Sequence, residues 1–443
     1  MRRAALLLIA LVAFAAPAAA QADGPTLGET LDTDLERGRI SESEHREYHA
    51  VYRRVRSALR RLEGGPKAAL DGALDNVRDL ADERRLDGRL RPTFLILRRN
   101  WEWFWAARKS VPRSGDRVMF EGSRVIFQFY SGQGWQLQAL ANFGHLNALL
   151  TGRRVEVEEA RTLADDLLNL SVSRGGDLAL EYYFPFSGGG PGWVSGMAQA
   201  TGLQALARLW KATGDQRYLE ATRPMLDLMR DEPPNGVQVS EHGEGPHFLL
   251  YSQAPTLLVG NGFAQALVGL HDYAEITGEG RDLLEAGLSR ARSTMREFDT
   301  GAWSLYYRRA GTDDGRESSL HYHRLFTTFL GRLCERTADD VFCSLETSFA
   351  AYEKRPVRIG RLRTSTRDDR LTVRVWTSKR GSGRLTLFRG DRAIRSHNLA
   401  LSRGTHVIPW PLPPAGDYRL VMTAKSPTGF DSRNEKDFEV SGD

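Results

Sequence analysis

Three apolar-periodic stretches end on the same dipeptide, Thr151-Gly152, Thr213-Gly214 and Thr277-Gly278, at intervals of 62 and 64 residues. Glycine there fits the left-handed cap that ends a helix, and each cap is followed by a charged turn and a second amphipathic stretch. About sixty residues is the length of a helical hairpin with a long loop, so the spacing predicts repeated hairpins. Aromatic and glycine-rich loops at corresponding places in the repeats favour their closing into an α/α toroid around one cleft over an open helical stack. The fold class expected is therefore multidomain and mainly α.

The best-marked junction is GGGPGWVSGMAQATGLQALARLW, residues 188–210. A glycine-rich loop carries Trp193 to the mouth of a helix whose stripe is Met197, Ala200, Leu203, Leu206, Ala207 and Trp210. Free backbone N–H groups and the positive end of the helix dipole make such a place suited to a carboxylate. Residues 124–150 read as a similar loop-and-helix junction around Gly132-Gln133-Gly134-Trp135.

The chain divides by pattern. Residues 1–22 open with Arg2-Arg3, continue apolar to Pro17 and end in small residues. They read as a secretory signal peptide, and the mature chain is expected to be secreted or envelope-associated without a membrane span. Residues 23–119 form an N-terminal helical extension: Tyr48, Val51, Tyr52, Val55, Leu59 and Leu62 mark one helix face, and Leu70, Leu74, Val77 and Leu80 its partner. The aromatic run at Trp101, Trp103, Phe104 and Trp105 reads as core packing, with a sugar platform as the alternative. Residues 120–355 hold the toroid. From 356 to 443 apolar and polar residues alternate in about seven short strands, the pattern of an immunoglobulin-like β-sandwich serving as an accessory module.

Charge and cysteines narrow the partners. A net charge of +5 and a pI near 9.2 in an exported chain suit an acidic polysaccharide; no nucleic-acid module accompanies the arginines. Cys334 and Cys343 are too few for a thiolate metal site. Export allows one disulfide between them, and two buried thiols is the alternative. The oligomer is open between monomer and homodimer.

Four ordered patches carry a family resemblance. The first runs from Gly192-Trp193 through Ser195 and Met197-Ala198-Gln199 to Ala207-Arg208 and Thr213-Gly214-Asp215. The second holds Tyr251 and Pro255, then Asn261-Gly262-Phe263, Leu267, Gly269-Leu270 and Asp272-Tyr273. The third is Phe298-Asp299-Thr300-Gly301, Trp303-Ser304, Tyr306 and Arg309, and the fourth Tyr322-His323. Together, over roughly residues 120–355, they resemble the C-terminal helical domain of the D-glucuronyl C5-epimerases.

The resemblance implies proton exchange at carbon 5 of a glucuronate or iduronate unit in a glycosaminoglycan-like polysaccharide, with no cofactor and no metal. Such chemistry needs a cation to neutralise the adjacent carboxylate and a proton-transfer group on each face of the sugar. Arg309 matches the neutralising position. Tyr251 and Tyr322 are assigned to proton transfer on opposite faces, with Tyr306 and His323 in support. Trp193, Gln199, Asn261, Trp135 and Gln133 are the candidate substrate contacts. The sequence departs from the family by Leu250 and Ser252 on either side of Tyr251, where the family carries glutamate and proline. Glu241 or Glu244 must then reach in, or two-faced exchange is impaired. A uronate lyase working from one face, and a non-catalytic glycan-binding envelope protein, are the alternatives. A hydrolase would need two carboxylates ~5–10 Å apart, and Asp299 reads instead as a loop-bonding residue. No β-rich region is expected before the helical domain.

Overall fold

The computed structural model describes residues 26–240 and 245–441. The expected signal peptide lies outside the described residues, as do Glu241 and Glu244. Among the described residues, no helix is long and apolar enough to cross a membrane.

Four helices open the chain: α1 (Leu27–Glu36), α2 (Glu42–Leu59), α3 (Gly64–Asp82) and α4 (Leu90–Trp101). Thr26 with Glu29, and Ser41 with Glu44, close capping boxes that fix the starts of α1 and α2. These helices do not form a separate layer. Their buried Leu70, Leu74, Leu80 and Phe94 belong to the same hydrophobic core as Leu203, Phe263 and Phe326. The aromatic run after α4 packs inward as well, with Phe104 buried and Trp103 edge-on to Trp135 at 4.9 Å.

A three-stranded antiparallel sheet follows, Arg117–Met119, Ile126–Tyr130 and Gly134–Leu137. It stands where a loop was expected and where no β-region before the helical domain was foreseen. Strand 126–130 alternates buried and half-buried residues, and Gly134, at φ 72°, lets the turn pass Asn100, whose side chain a Cβ would strike.

Eight helices then form four hairpins: α5 (Ala139–Thr151) with α6 (Val157–Leu170), α7 (Gly196–Thr213) with α8 (Gln216–Arg230), α9 (Gly260–Thr277) with α10 (Arg281–Thr294), and α11 (Leu320–Thr337) with α12 (Asp340–Glu353). The first member of each hairpin packs on the next first member, so α5, α7, α9 and α11 make an inner arc and the others an outer layer. Helix α7 is buried from Gly196 to Ala207, and α9 from Gly260 to Leu270. Both lack a polar face because each is covered on all sides. Gly269 permits the closest approach, since a Cβ there would lie 2.5 Å from the Ala200 carbonyl oxygen.

The repeated caps are partly as expected. Gly214 and Gly278 have φ 72° and 77°; Gly152 does not, at φ −66°. A fourth cap exists at Thr337-Ala338, where alanine takes φ 50°. The threonines act alike: Thr151, Thr213, Thr277 and Thr337 each donate to the carbonyl four residues back. Cys334 and Cys343 are disulfide-bonded, joining α11 to α12.

Short turns lie at the C-terminal ends of the inner helices and long loops at their N-terminal ends. The short-turn end is tied by Asp272, which accepts from Gln204 at 2.7 Å, Arg208 at 2.6 Å and Arg336 at 2.7 Å. Arg208 also reaches Asn147 of α5 at 2.7 Å. Two residues of the motif patches, Arg208 and Asp272, thus join the inner helices to one another. The long loops gather at the opposite end.

Beyond residue 356, seven strands form two antiparallel sheets packed face to face. Strands Arg363–Arg367, Arg370–Thr377 and Gly404–Pro411 make one; Arg392–Leu401, Gly381–Arg389, Gly416–Lys425 and Asp431–Val440, in that order, make the other. Leu371, Val373 and Ile408 meet Leu385, Leu420 and Met422 in a second core. Lys379, buried, donates to the carbonyls of Tyr352 and Arg355 at 2.7 and 2.8 Å, and Glu317 accepts from the backbone N–H of Arg380 and Arg403. These bonds fasten the sandwich to the helices.

Candidate active site

At the long-loop end, a cavity of about 320 Å³ opens between the inner helices and strand Ile126–Tyr130. Its walls are aromatic: Tyr130, Tyr182, Phe184, Phe186, Trp193, Tyr251, Tyr306 and Tyr322. Each inner helix contributes its first residues or the loop that feeds it. Ser195, the N-cap of α7, Asn261 on α9 and Tyr322 in the first turn of α11 all face the space.

Three of the expected residues form a chain. The phenol oxygens of Tyr251 and Tyr306 are 2.7 Å apart, and the ring of Tyr322 lies 4.8 Å from that of Tyr306. Burial pushes the Tyr251 hydroxyl far above the ordinary phenol range, with the Tyr306 hydroxyl adding to the effect. Burial likewise raises Tyr306 to about 12. Both phenols therefore hold their protons at neutral pH. Tyr322 is 41% exposed and stands at the open side.

Asn261 lines the same cavity, is buried, and among the described residues its Oδ1 has no hydrogen-bond partner. Trp193 is a wall, but one face is already stacked on Tyr182 at 4.1 Å, and its Nε1 donates to the Phe184 carbonyl. The aromatic left standing at the rim is Phe186, 41% exposed and 4.8 Å from Tyr251. Leu250 is also in the lining.

Five expected residues lie elsewhere. Arg309 is on the strand Leu305–Arg309, where its Nε donates to Asp314 at 2.9 Å across an exposed turn. His323 is buried one residue past the open-side tyrosine. Its ring is stacked on Trp303 at 3.7 Å, its Nδ1 is bonded to Ser304 and its Nε2 to the Phe349 carbonyl. Gln199 is buried and donates to the Leu180 carbonyl. Trp135 is in the core among Trp103, Phe120 and Phe129. Gln133 accepts from Asn76 of α3 at 3.0 Å. The anion-binding expectation for the start of α7 is weakened too: the Gly196 N–H goes to Leu249, and the Ala198 N–H to Ser195 Oγ.

Two further residues, which no motif patch singles out, line the cavity: Arg117 and His321. Arg117 lines the cavity from strand Arg117–Met119 and donates through Nε to Gln128 Oε1 at 2.8 Å. It is the arginine of the described lining, and it precedes the family patches in the chain, so no motif marked it. His321 lines the cavity beside Tyr322, ring to ring at 5.5 Å. The sequence His321-Tyr322-His323 offers two histidines on either side of one tyrosine, and helical rotation turns the second into the core. Among the described residues the lining holds no carboxylate.

The model of the D-glucuronyl C5-epimerase C-terminus matches residues 176–351. A D-glucuronyl C5-epimerase of Caenorhabditis elegans is 28% identical over 130 residues, which are 26% of this chain and 21% of that protein. An uncharacterised protein of Methanocaldococcus jannaschii is 25% identical over 167 residues, 36% of this chain and 53% of that one. The chain thus spans about a fifth and about half of these curated relatives. Among solved structures, a sugar epimerase from a ruminal bacterium aligns with TM-score 0.41 and 12% identity, over 66% of this chain and 75% of that one. A cellobiose 2-epimerase from Bacillus thermoamylovorans aligns with TM-score 0.40, also at 12% identity, over the same shares. Residues 176–351, the hairpins that present Trp193, Tyr251, Asn261, Tyr306 and Tyr322, are thus similar to the D-glucuronyl C5-epimerase C-terminus.

Proposed function

We propose that the protein is an exported enzyme that inverts carbon 5 of a uronic acid residue within an acidic polysaccharide, in the aromatic cavity. The observation that carries this is the pairing of Tyr251 and Tyr306 at 2.7 Å in a lining whose charge comes from Arg117 and whose proton acceptor is His321. The sugar carboxylate binds Arg117, whose planar fork suits it. His321 removes the carbon-5 proton from the open side, an imidazole nitrogen lone pair accepting it. The C–H electron pair moves into the carboxylate, and Arg117 holds the charge that develops there. Tyr251 then returns a proton from the buried side and takes one from Tyr306; Tyr306 is reprotonated from solvent, to which His321 releases the proton it removed. Tyr322, assigned to proton transfer by resemblance, is a positioning residue in this scheme, holding the sugar between His321 and Tyr306. Phe186 supplies an apolar ring face at the rim, and Asn261 Oδ1 accepts from a sugar hydroxyl.

The helical hairpins serve as a toroid-type scaffold in this reading, and the immunoglobulin-like C-terminal sandwich as an accessory. Two-carboxylate hydrolysis finds no pair of groups among the described lining residues.

Leu250, in the lining where the family carries glutamate, favours a second reading, β-elimination. The same proton is removed, and the electron pair then expels the oxygen on carbon 4. The test is incubation with uronate polysaccharides in heavy water. Deuterium at an inverted carbon 5, followed by NMR, supports the epimerase. Ultraviolet absorbance from an unsaturated product supports the lyase, and neither signal with a glycan that binds supports a carrier.

A further inference from the structure

Away from the cavity, three metal-ligating side chains converge where α1 crosses α2. His45 and His49 are one turn apart on α2, so their imidazoles share a face. Helix α1 lies against that face and brings Asp32. His45 Nε2 is 2.7 Å from Asp32 Oδ1, and His49 Nε2 is 3.0 Å from the same oxygen. The three ligating atoms all lie within 4.8 Å of one another.

We propose that Asp32, His45 and His49 form a binding site for a late first-row divalent cation of the zinc type, with water in the remaining coordination positions. Tetrahedral zinc with ligands at roughly 2.0–2.2 Å places neighbouring ligand atoms about 3.3–3.6 Å apart. The nitrogen–oxygen separations of 2.7 and 3.0 Å are shorter than this, so an ion enters as the half-exposed Asp32 carboxylate swings away from the two imidazoles. Two imidazoles select zinc, copper or nickel over magnesium and calcium, which prefer oxygen. The imidazoles are about four-fifths covered, while the Asp32 side chain is 57% exposed. The nitrogens are thus held in place while the ion can enter past the carboxylate.

The site has a structural consequence. Helix α1 has 10 residues and anchors itself through Leu27 and Leu31; a helix this short is marginal without tertiary support. An ion shared with α2 clamps it to the neighbouring helix. None of the three residues lines the aromatic cavity, so the role is separate from catalysis.

The experiment uses the exported chain purified without a histidine tag and stripped with a chelator. Zn²⁺ alone is titrated by calorimetry, and amide hydrogen exchange is followed over residues 27–36. One equivalent is expected to bind, with slower exchange in α1 and a higher Tm. Asp32→Asn and His49→Gln, both near the surface, are each expected to weaken binding by ~10-fold or more while leaving the circular dichroism spectrum unchanged. The proposal is overturned if the parent chain takes up no zinc, if either variant binds as tightly as the parent, if Mg²⁺ binds equally well, or if zinc binds without slowing exchange in α1.

Discussion

The hydroxyl of Tyr251 meets the hydroxyl of Tyr306 at 2.7 Å across 55 residues of chain, in a place where burial keeps both protonated. The loop before α9 brings one of them and the strand after α10 the other. In the proposed exchange this pair acts as a proton donor with a second donor behind it. Tyr251→Phe removes the first, and turnover measured by deuterium uptake is expected to fall by ~10²–10⁴-fold. Tyr306→Phe leaves the first donor but not its resupply, so a smaller fall is expected. A Tyr251→Phe enzyme at the parent rate would show that the pair does not deliver the proton.

Arg117 and Arg309 separate two accounts of carboxylate binding. Arg117→Ala is expected to lower kcat/KM by ~10²–10³-fold, the range seen when one preorganised charge-stabilising donor is lost. Arg117→Lys recovers part of that, because it keeps the charge but not the planar fork. Arg309→Ala breaks an exposed pair with Asp314 and is expected to leave turnover unchanged. The reverse pattern would restore the role that the motif suggested for Arg309.

The hairpins were legible in the chain because threonine–glycine caps and helical periodicity are local signals. The fourth cap escaped notice because Ala338 adopts the left-handed conformation without glycine. The sheet before α5 was missed because its strands are 3, 5 and 4 residues long, too short for alternation to stand out beside a Gly-rich turn. In the site, Tyr251, Tyr306, Tyr322, Asn261 and Trp193 reached the cavity, since the motif patches sit at the starts of inner helices. Gln199, Trp135 and His323 did not, because being next to a motif residue says nothing about which side of a helix or strand faces the ligand. Arg117 comes from a strand more than a hundred residues before Tyr251, a tertiary meeting that no local pattern encodes.

Glu181 tests whether the N-terminal helices are part of the catalytic fold. It is fully buried and accepts from Arg89, just before α4, at 2.7 and 2.8 Å. Its Oε1 is also bonded to buried Arg174. Removing one partner of a buried ion group costs about 3–5 kcal/mol, because the remaining charges are left without compensation. Glu181→Ala is therefore expected to lower the unfolding free energy by about that much in urea. Arg89→Ala should cost less, since Arg174 still pairs with the carboxylate. Equal, small effects from both would mean that residues 26–119 are only loosely attached.

His323 decides between a catalytic and a structural histidine by its pH dependence. The Ser304 backbone N–H points at Nδ1, and Nε2 is left to donate to the Phe349 carbonyl, so the ring is a neutral tautomer inside the core. Burial lowers its pKa from 6.5 to about 4. The unfolded chain takes up this proton near pH 6.5 and the folded chain resists until about pH 4. The stability contribution is therefore present above 6.5 and is lost as pH falls through that window. Buried His247, lowered to about 3, acts in the same direction. From pH 7 to 5 the single His323 contributes a loss of about 2 kcal/mol. His323→Gln is expected to be less stable at pH 7, because the stacking on Trp303 is disturbed, yet to lose about 2 kcal/mol less on acidification to pH 5. Urea unfolding at the two pH values measures this directly. If the variant keeps the full acid sensitivity of the parent and instead loses turnover at unchanged stability, the histidine takes part in the reaction and the core assignment fails.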